Sequence, residues 1–301
     1  MPTSRSRASR PGRSDDAEQP LLPGMPARLV VATPSKLAAY EDCPRRYRYG
    51  YLDRPAPPKG PPWAHNSLGA SVHTALRNWY EVPAARRDPQ LAATLLKAGW
   101  VREGYRDEAQ ERQVWRRAVG WLESYLPSMP AEPLGVERVV AARTAVIAFS
   151  GRTDRIDARP AGELTIVDYK TGRYQPDEAD ARGSAALALY AYAAGRVFRR
   201  PCRRVELHHL PSGTVAAAEH TDESLRRQVQ RAEATATDLR EAESAVAEGA
   251  DPDAAFPTQS GPHCGWCDYR RACPAGQALP AKEPWAAVDE PAAAPRSPTG
   301  G

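Results

Sequence analysis

Apolar positions change their period near residue 130. Before it they recur at helical spacing, and after it they fall into short β-branched runs that read as strands. Thr33-Pro34-Ser35 opens a segment carrying Leu37, Tyr40, Tyr47 and Tyr51 at mixed helical spacings, with Ser35 as the helix cap and Pro44 as a break directly after Cys43. A proline-rich loop over 55–62 leads to a helix over 67–80 that aligns Val72, Leu76 and Trp79, and two more helical stretches follow over 89–110 and 111–126.

Strands are expected over 136–149, 151–158 and 163–169, the last two joined by the turn Arg159-Pro160-Ala161-Gly162. Three consecutive strands with short connections predict an antiparallel meander. A helix over 184–198, strands over 203–210 and 214–218, and a long polar helix over 222–248 complete the pattern. The order describes one α/β core with added helices, and no internal repeat is visible. The expected domain runs over 29–274: a helical region 33–128, an α/β core 133–220, the helix 222–248 and a cysteine cluster 264–273. The polar, proline-rich ends, 1–28 and 275–301, lack the apolar content to offset the entropy of ordering and are expected to be disordered tails.

A chain of 301 residues has room for a sizeable core. The net charge of +4 is mild, which permits nucleic-acid binding without requiring it. Of the 41 basic residues only Lys36, Lys59, Lys97, Lys170 and Lys282 are lysine. No apolar run reaches the roughly 18 residues of a membrane helix, and the start has no signal-like block, so a cytoplasmic protein is expected. In a reducing compartment five cysteines point to metal binding or isolated thiols rather than disulfides.

Candidate chemistry sits on the strands. In Thr165-Ile166-Val167-Asp168-Tyr169-Lys170 the alternation puts Asp168 and Lys170 on one face, and the hairpin neighbour brings Asp154 beside them. Two carboxylates on adjacent strands make a hard-oxygen site for Mg or Mn, suited to phosphodiester hydrolysis, with Lys170 orienting water or stabilising charge. Asp157 competes with Asp154 but points to the opposite face, where Arg155 or Arg159 offers an ion pair. Glu137, at the start of the first strand, is a weaker metal candidate.

Gly69-x-x-x-His73, Gly151-Arg152-Thr153-Asp154-Arg155-Ile156-Asp157, Asp168-Tyr169-Lys170-Thr171-Gly172 and Leu189-Tyr190-Ala191 occur in that order. Together they resemble the PD-(D/E)XK nuclease superfamily, in particular its RecB-like exonuclease branch. The resemblance implies a restriction-endonuclease-like core, a mixed sheet flanked by helices, with a helical N-terminal region and a C-terminal cysteine loop. It implies that Asp154 and Asp168 bind the divalent metal, that Lys170 is the catalytic lysine, and that His73 is a further metal ligand or activator. Many relatives carry a glutamine before the helix tyrosine, where this chain has Ala185-Ala186-Leu187-Ala188. Tyr190 remains as a phosphate or base contact or as a core residue.

Cys264-x2-Cys267-x5-Cys273-Pro274 places three thiols in one loop, and Cys43 is the available fourth. Ligand type alone allows zinc or an iron–sulfur cluster. One early and three late cysteines around a nuclease core resemble the iron-staple exonucleases, among them the AddB nuclease domain and the CRISPR adaptation exonucleases, which implies a [4Fe-4S] cluster. Cys202 has no partner at ligand spacing, and His263 beside the cluster is an alternate ligand or, by default, a loop residue. Arg45, Arg46 and Arg48 interleave with Tyr47, Tyr49 and Tyr51, a pattern suited to single-stranded DNA. The resulting expectation is a metal-dependent DNA nuclease, an exonuclease on single strands or duplex ends in repair or recombination. Its alternative is a DNA-binding scaffold that keeps the fold and the cluster. No Gly-x4-Gly-Lys-[Ser/Thr] phosphate loop is present, so a helicase motor would be a separate partner.

Overall fold

The computed structural model describes residues 29–160 and 162–289. The expected tail 1–28, the end of the expected tail 275–301 from 290 onward, and Ala161 of the expected turn lie outside the described residues. Strand β1 (Val30–Ala32), unanticipated from the sequence, is followed by α1 (Pro34–Asp42) and α2 (Pro44–Tyr51). Pro44 separates the two helices as expected, because at a first helical position its missing N–H is no loss. The cap of α1 is Thr33 rather than Ser35: its hydroxyl accepts the Lys36 N–H at 3.2 Å.

Three helices follow, α3 (Ala64–Glu81), α4 (Ala92–Ala98) and α5 (Glu108–Tyr125). The helix expected over 89–110 is therefore cut short. Gly99 ends α4, and Gly104 sits at φ +85° where a Cβ would lie 2.5 Å from the Ala64 nitrogen. Only glycine fits there.

The sheet is built from β2 (Gly135–Arg143), β3 (Ile147–Ala158) and β4 (Leu164–Lys170), then, after α6 (Glu178–Gly183) and α7 (Ala185–Phe198), from β5 (Cys202–His209) and β6 (Thr214–Glu219). The expected strand over 136–149 is in fact two. The hairpin turns at Thr144, whose hydroxyl accepts the N–H groups of Val146 and Ile147. The meander β2-β3-β4 is antiparallel as expected, β4 pairs parallel with β5, and β5 pairs antiparallel with β6. Strand β1 joins β3 in parallel, giving a mixed six-stranded sheet in the order β1-β3-β4-β5-β6 with β2 on the other edge of β3.

Both faces of the sheet are covered. Alternate β4 residues enter different cores: Ile166 packs with Leu187, Ala188, Ala191 and Val205, whereas Val167 and Tyr169 pack with Val72, Leu76 and Leu122. The alanines of α7 let it approach the sheet closely, and α8 (Asp222–Ala247) adds Leu225 and Val229 to the same layer. After α9 (Pro252–Ala255) the cysteine loop leads to α10 (Pro274–Gln277) and α11 (Ala286–Asp289). The expectation of a tail from 275 is corrected here. Val288 is buried, Asp289 pairs with Arg106 at 3.0 Å and accepts from Gln110, and the Val288 carbonyl accepts from Arg117. One apolar side chain with polar anchors on α5 holds the segment down. Among the described residues no helix is long and apolar enough to cross a membrane.

A polar network lies beneath the site. The Arg155 guanidinium, 3% exposed, pairs with Asp157 at 2.9 Å and donates to the hydroxyls of Tyr125 and Tyr169. Tyr125 contacts His208 Nδ1 at 2.6 Å, and His208 Nε2 reaches Glu206 at 2.8 Å. Burial alone would raise the Glu206 carboxyl, but the hydrogen bonds from His208 and Arg204 outweigh it and bring the pKa down to about 2. A depressed carboxylate stabilises the fold above its ordinary value of 4.5 and loses that contribution as pH falls toward 2. Glu206→Gln should therefore lower stability at neutral pH, by on the order of 3 kcal/mol, and flatten the wild-type decline between about pH 5 and 2. Denaturant melts across that range check it, and parallel pH profiles for the two proteins would refute it.

Candidate active site

The site lies where β3 and β4 part. They pair from Ala158↔Leu164 to Arg155↔Val167, and the next positions in that register are Asp154 and Asp168. Beyond the fork β4 continues to Lys170 on β5 alone. The Tyr169 N–H thus has no strand partner on this side, and Asp154 Oδ2 accepts it at 2.8 Å. The first candidate carboxylate is held by the backbone of the motif that carries the second.

Helix α3 supplies His73. Its Nε2 lies 3.1 Å from the Tyr169 carbonyl, so Nε2 carries the proton it donates there, and Nδ1 faces Asp154 Oδ1 at 3.3 Å. Burial would lower the His73 pKa, but the Asp154 hydrogen bond and the charges of Asp154 and Asp168 raise it overall. Two electron-pair donors face each other across that gap, an arrangement that calls for a proton or a cation between them.

Glu137 completes the group. One ligand atom each from His73, Glu137 and Asp154 falls within 4.8 Å of the others. Glu137 stands at φ +48° inside β2 and is passed over in the ladder between Val136↔Arg155 and Arg138↔Thr153. A left-handed glutamate in a strand stores strain, and here it turns the carboxylate into the cleft, where Arg152 holds it at 2.7 Å. The weaker sequence candidate is thus part of the compact group.

Asp168 stands beside that group rather than in it. Its Oδ2 is 2.7 Å from Lys170 Nζ as an ion pair, and among the described residues no other group donates to this buried oxygen. Burial raises its pKa most; Lys170 opposes and Asp154 adds to the rise. An under-coordinated carboxylate oxygen, a facing Asp154 and an imidazole lone pair suit a hard divalent cation, so the residues present fit Mg or Mn.

The surrounding cleft has a volume of about 920 Å³ and is lined by His73, Arg77, Glu137, Arg152, Lys170 and Tyr190, among others. Tyr190 on α7 lines the same cleft. Its ring lies over Gly151, where a Cβ would meet Tyr190 Cε1 at 2.4 Å. Gly151→Ala should displace the ring and lower kcat/KM by about tenfold, comparable to other displaced site groups; Tyr190→Leu should show no additional loss when combined with it. Fully additive losses would refute the shared cause.

Asp157 takes the alternative role, pairing with Arg155. Through Arg155 and Tyr125 the buried network holds the Tyr169 side chain, and the Tyr169 backbone in turn fixes Asp154 and His73. Nothing in the sequence pattern singles out Tyr169, Arg152 or this supporting role of Arg155.

A family model described as PD-(D/E)XK nuclease superfamily matches residues 31–274. The chain belongs to the PD-(D/E)XK nuclease superfamily. Membership implies a phosphodiester hydrolase and a divalent-metal site, in agreement with the carboxylate fork. Similar solved structures include a candidate exonuclease from Eubacterium rectale, with 9% identity, a TM-score of 0.39, and coverage of 70% of this chain and 79% of that one. Another is the structure of SSO0001, with 18% identity, a TM-score of 0.36, and coverage of 82% and 87%. No curated protein matches.

In this superfamily member Cys43, Cys264, Cys267 and Cys273 line one small cavity, and all are free thiols. They do not form a compact ligand group: no three of the sulfurs lie within 4.8 Å of one another among the described residues. Cys202 is buried in the main core, its thiol pushed up to about 12 by burial, and His263 bonds the Gln259 carbonyl.

The expected DNA-contacting row is corrected for two of its members. Arg45, 7% exposed, donates to the carbonyls of Phe256 and Asp253 and pairs with the Asp253 carboxylate at 3.0 Å. Tyr47 stacks on Phe256 with its hydroxyl on Glu243. Both are used up in fastening the 252–257 segment onto α2. Arg46 is half-buried, with a 3.5 Å pair to Asp42 at the surface.

Proposed function

We propose that this chain is a divalent-metal-dependent deoxyribonuclease, an exonuclease of the RecB-like branch acting on single strands or DNA ends in repair or recombination. The convergence of His73, Glu137 and Asp154 on the fork that carries Asp168 and Lys170 supports this reading. Asp154 and Asp168, with His73 and Glu137, would hold the Mg or Mn ion, which when bound neutralises phosphate charge and lowers the pKa of a water. Lys170 provides a compact cation for the negative charge that develops at phosphorus, and Asp168 keeps it in place. Arg77 and Arg152 at the cleft rim bind the strand through its phosphates, and Tyr190 offers a hydroxyl to the same backbone. A motor partner is not part of the reading.

Cys43, Cys264, Cys267 and Cys273 are the proposed ligands of a [4Fe-4S] cluster. Four free thiols around one cavity support a shared group. Zinc, with Zn–S bonds of about 2.3 Å, is the alternative occupant that the same thiolate ligands allow. The alternative, a DNA-binding scaffold, draws its support from the apolar Ala185-Ala186-Leu187-Ala188 where relatives carry a glutamine.

Anaerobically purified protein, incubated with manganese and single-stranded DNA labelled at the 5′ or the 3′ end, or with circular DNA, tests the function. Progressive shortening of linear strands with circular DNA intact is expected. Binding without cleavage of any substrate would establish the scaffold instead.

A further inference from the structure

A second cavity, of about 350 Å³, adjoins the catalytic cleft. His65, Thr171 and Gly172 line both spaces, so the cavity begins immediately after the catalytic Lys170. Its remaining walls come from separate parts of the chain, with Trp121 and Arg117 on α5 and Trp266 on the cysteine loop. Trp266 is held in an aromatic group, 5.3 Å from Trp63 and 5.6 Å from His65, ring to ring.

Two polar atoms here lack partners among the described residues. His65 Nδ1 and Arg117 Nε are both buried without a hydrogen bond, although Arg117 also donates to the Val288 carbonyl. Buried polar atoms are ordinarily satisfied, and two such atoms beside tryptophan rings suit a flat ligand with an apolar face and a hydrogen-bonding edge. Lys170, Arg77 and Arg152 line the neighbouring cleft and place the cations for a phosphate there rather than in this cavity.

We infer that this cavity receives one unstacked nucleobase of a single strand whose adjacent phosphate lies at the carboxylate fork. The inference rests on the nuclease reading and names its substrate more narrowly. A base inside a duplex is stacked and paired on its edge, and cannot enter a side cavity without being extruded. Trp121 and Trp266 supply the stacking surface and His65 the edge contact, which makes these residues determinants of single-strand specificity. Trp266 precedes Cys267 directly, so the proposed cluster loop carries part of the substrate wall.

The test uses the full chain, purified anaerobically, with divalent metal removed so that binding is read without cleavage. The probe is an end-labelled oligo(dT) in which a single abasic residue is moved position by position. Wild type should lose about tenfold in affinity when the abasic residue occupies one particular position and little elsewhere, as expected for loss of one stacked base. Trp266→Ala and Trp121→Ala, on different elements, should weaken binding of the intact strand and abolish that positional penalty, while Trp266→Phe retains it. Variants whose thermal unfolding matches wild type decide the matter. A flat scan in wild type, or an undiminished penalty in both alanine variants, overturns the proposal. Cleavage with a flat scan rejects the base site and keeps the nuclease. A positional penalty without cleavage in manganese does the reverse.

Discussion

Lys170→Ala is expected to reduce manganese-dependent cleavage by at least about 10²- to 10³-fold, the usual cost of removing a group that stabilises transition-state charge. The fold should be unaffected. The Lys170 side chain is nearly half exposed, and the buried Asp168 it leaves behind can take up a proton, since burial already raises its pKa. Lys170→Arg should not restore the rate, since a planar guanidinium cannot replace a compact ammonium at the same point. Asp168→Asn is expected to be equally inactive but no less stable, because it removes one of two carboxylates placed side by side at the strand fork. Initial rates on end-labelled single strands, set beside thermal melts, check both statements. Residual cleavage in Lys170→Ala equal to wild type would remove the fork as the active site.

With the proposed cluster as the staple, Cys43→Ala should lose iron and the broad violet absorption and destabilise the chain. Cys43 and Cys264 are about 220 residues apart in sequence, and closing a loop of that length contributes on the order of 5 kcal/mol as an upper figure. A drop in Tm of about 10 °C follows for a domain of this size. Unfolding should stop short of complete, because Arg45 still binds the 253–257 backbone and Asp268 still accepts from Trp63 at 2.7 Å. Cys202→Ala, in the main core, should keep its iron. Metal analysis and absorption spectra of anaerobic protein provide the measurement. Iron content equal in Cys43→Ala and wild type would dissolve the staple, and stoichiometric zinc in wild type would replace the cluster.

Much of the site is legible in the order of the amino acids. Asp168 and Lys170 share a strand face through the two-residue period, and a short turn from 158 to 164 brings Asp154 opposite Asp168. Asp157 is set apart by the same alternation and does pair with Arg155. Glu137 ranks too low in the sequence for a specific reason. Its position opposite Asp154 depends on the hairpin turning at Thr144, and the apolar run through 136–149 conceals that turn. The conformation at φ +48° that aims it inward leaves no mark in a sequence pattern.

The basic and aromatic residues after Cys43 show the opposite limit. Arginine alternating with tyrosine reads equally well as a nucleic-acid surface or as a packed helix, and only the placement of Phe256 and Asp253 against α2 commits Arg45 and Tyr47 to the interior. Likewise Val288 lies in a segment too polar and too rich in alanine and proline to predict order, yet one apolar side chain anchored by Arg106, Gln110 and Arg117 keeps it in place.

Periodicity, turn residues and cysteine spacing determined the α/β order, the antiparallel meander and the residue types of the carboxylate site, since these depend on contacts between near neighbours in the chain. The parting of β3 from β4, the turning-in of Glu137, the seating of His73 on the Tyr169 carbonyl and the shared wall between cleft and aromatic cavity depend on where distant segments meet. Such meetings are set by packing across the whole domain, and only the tertiary structure decided them.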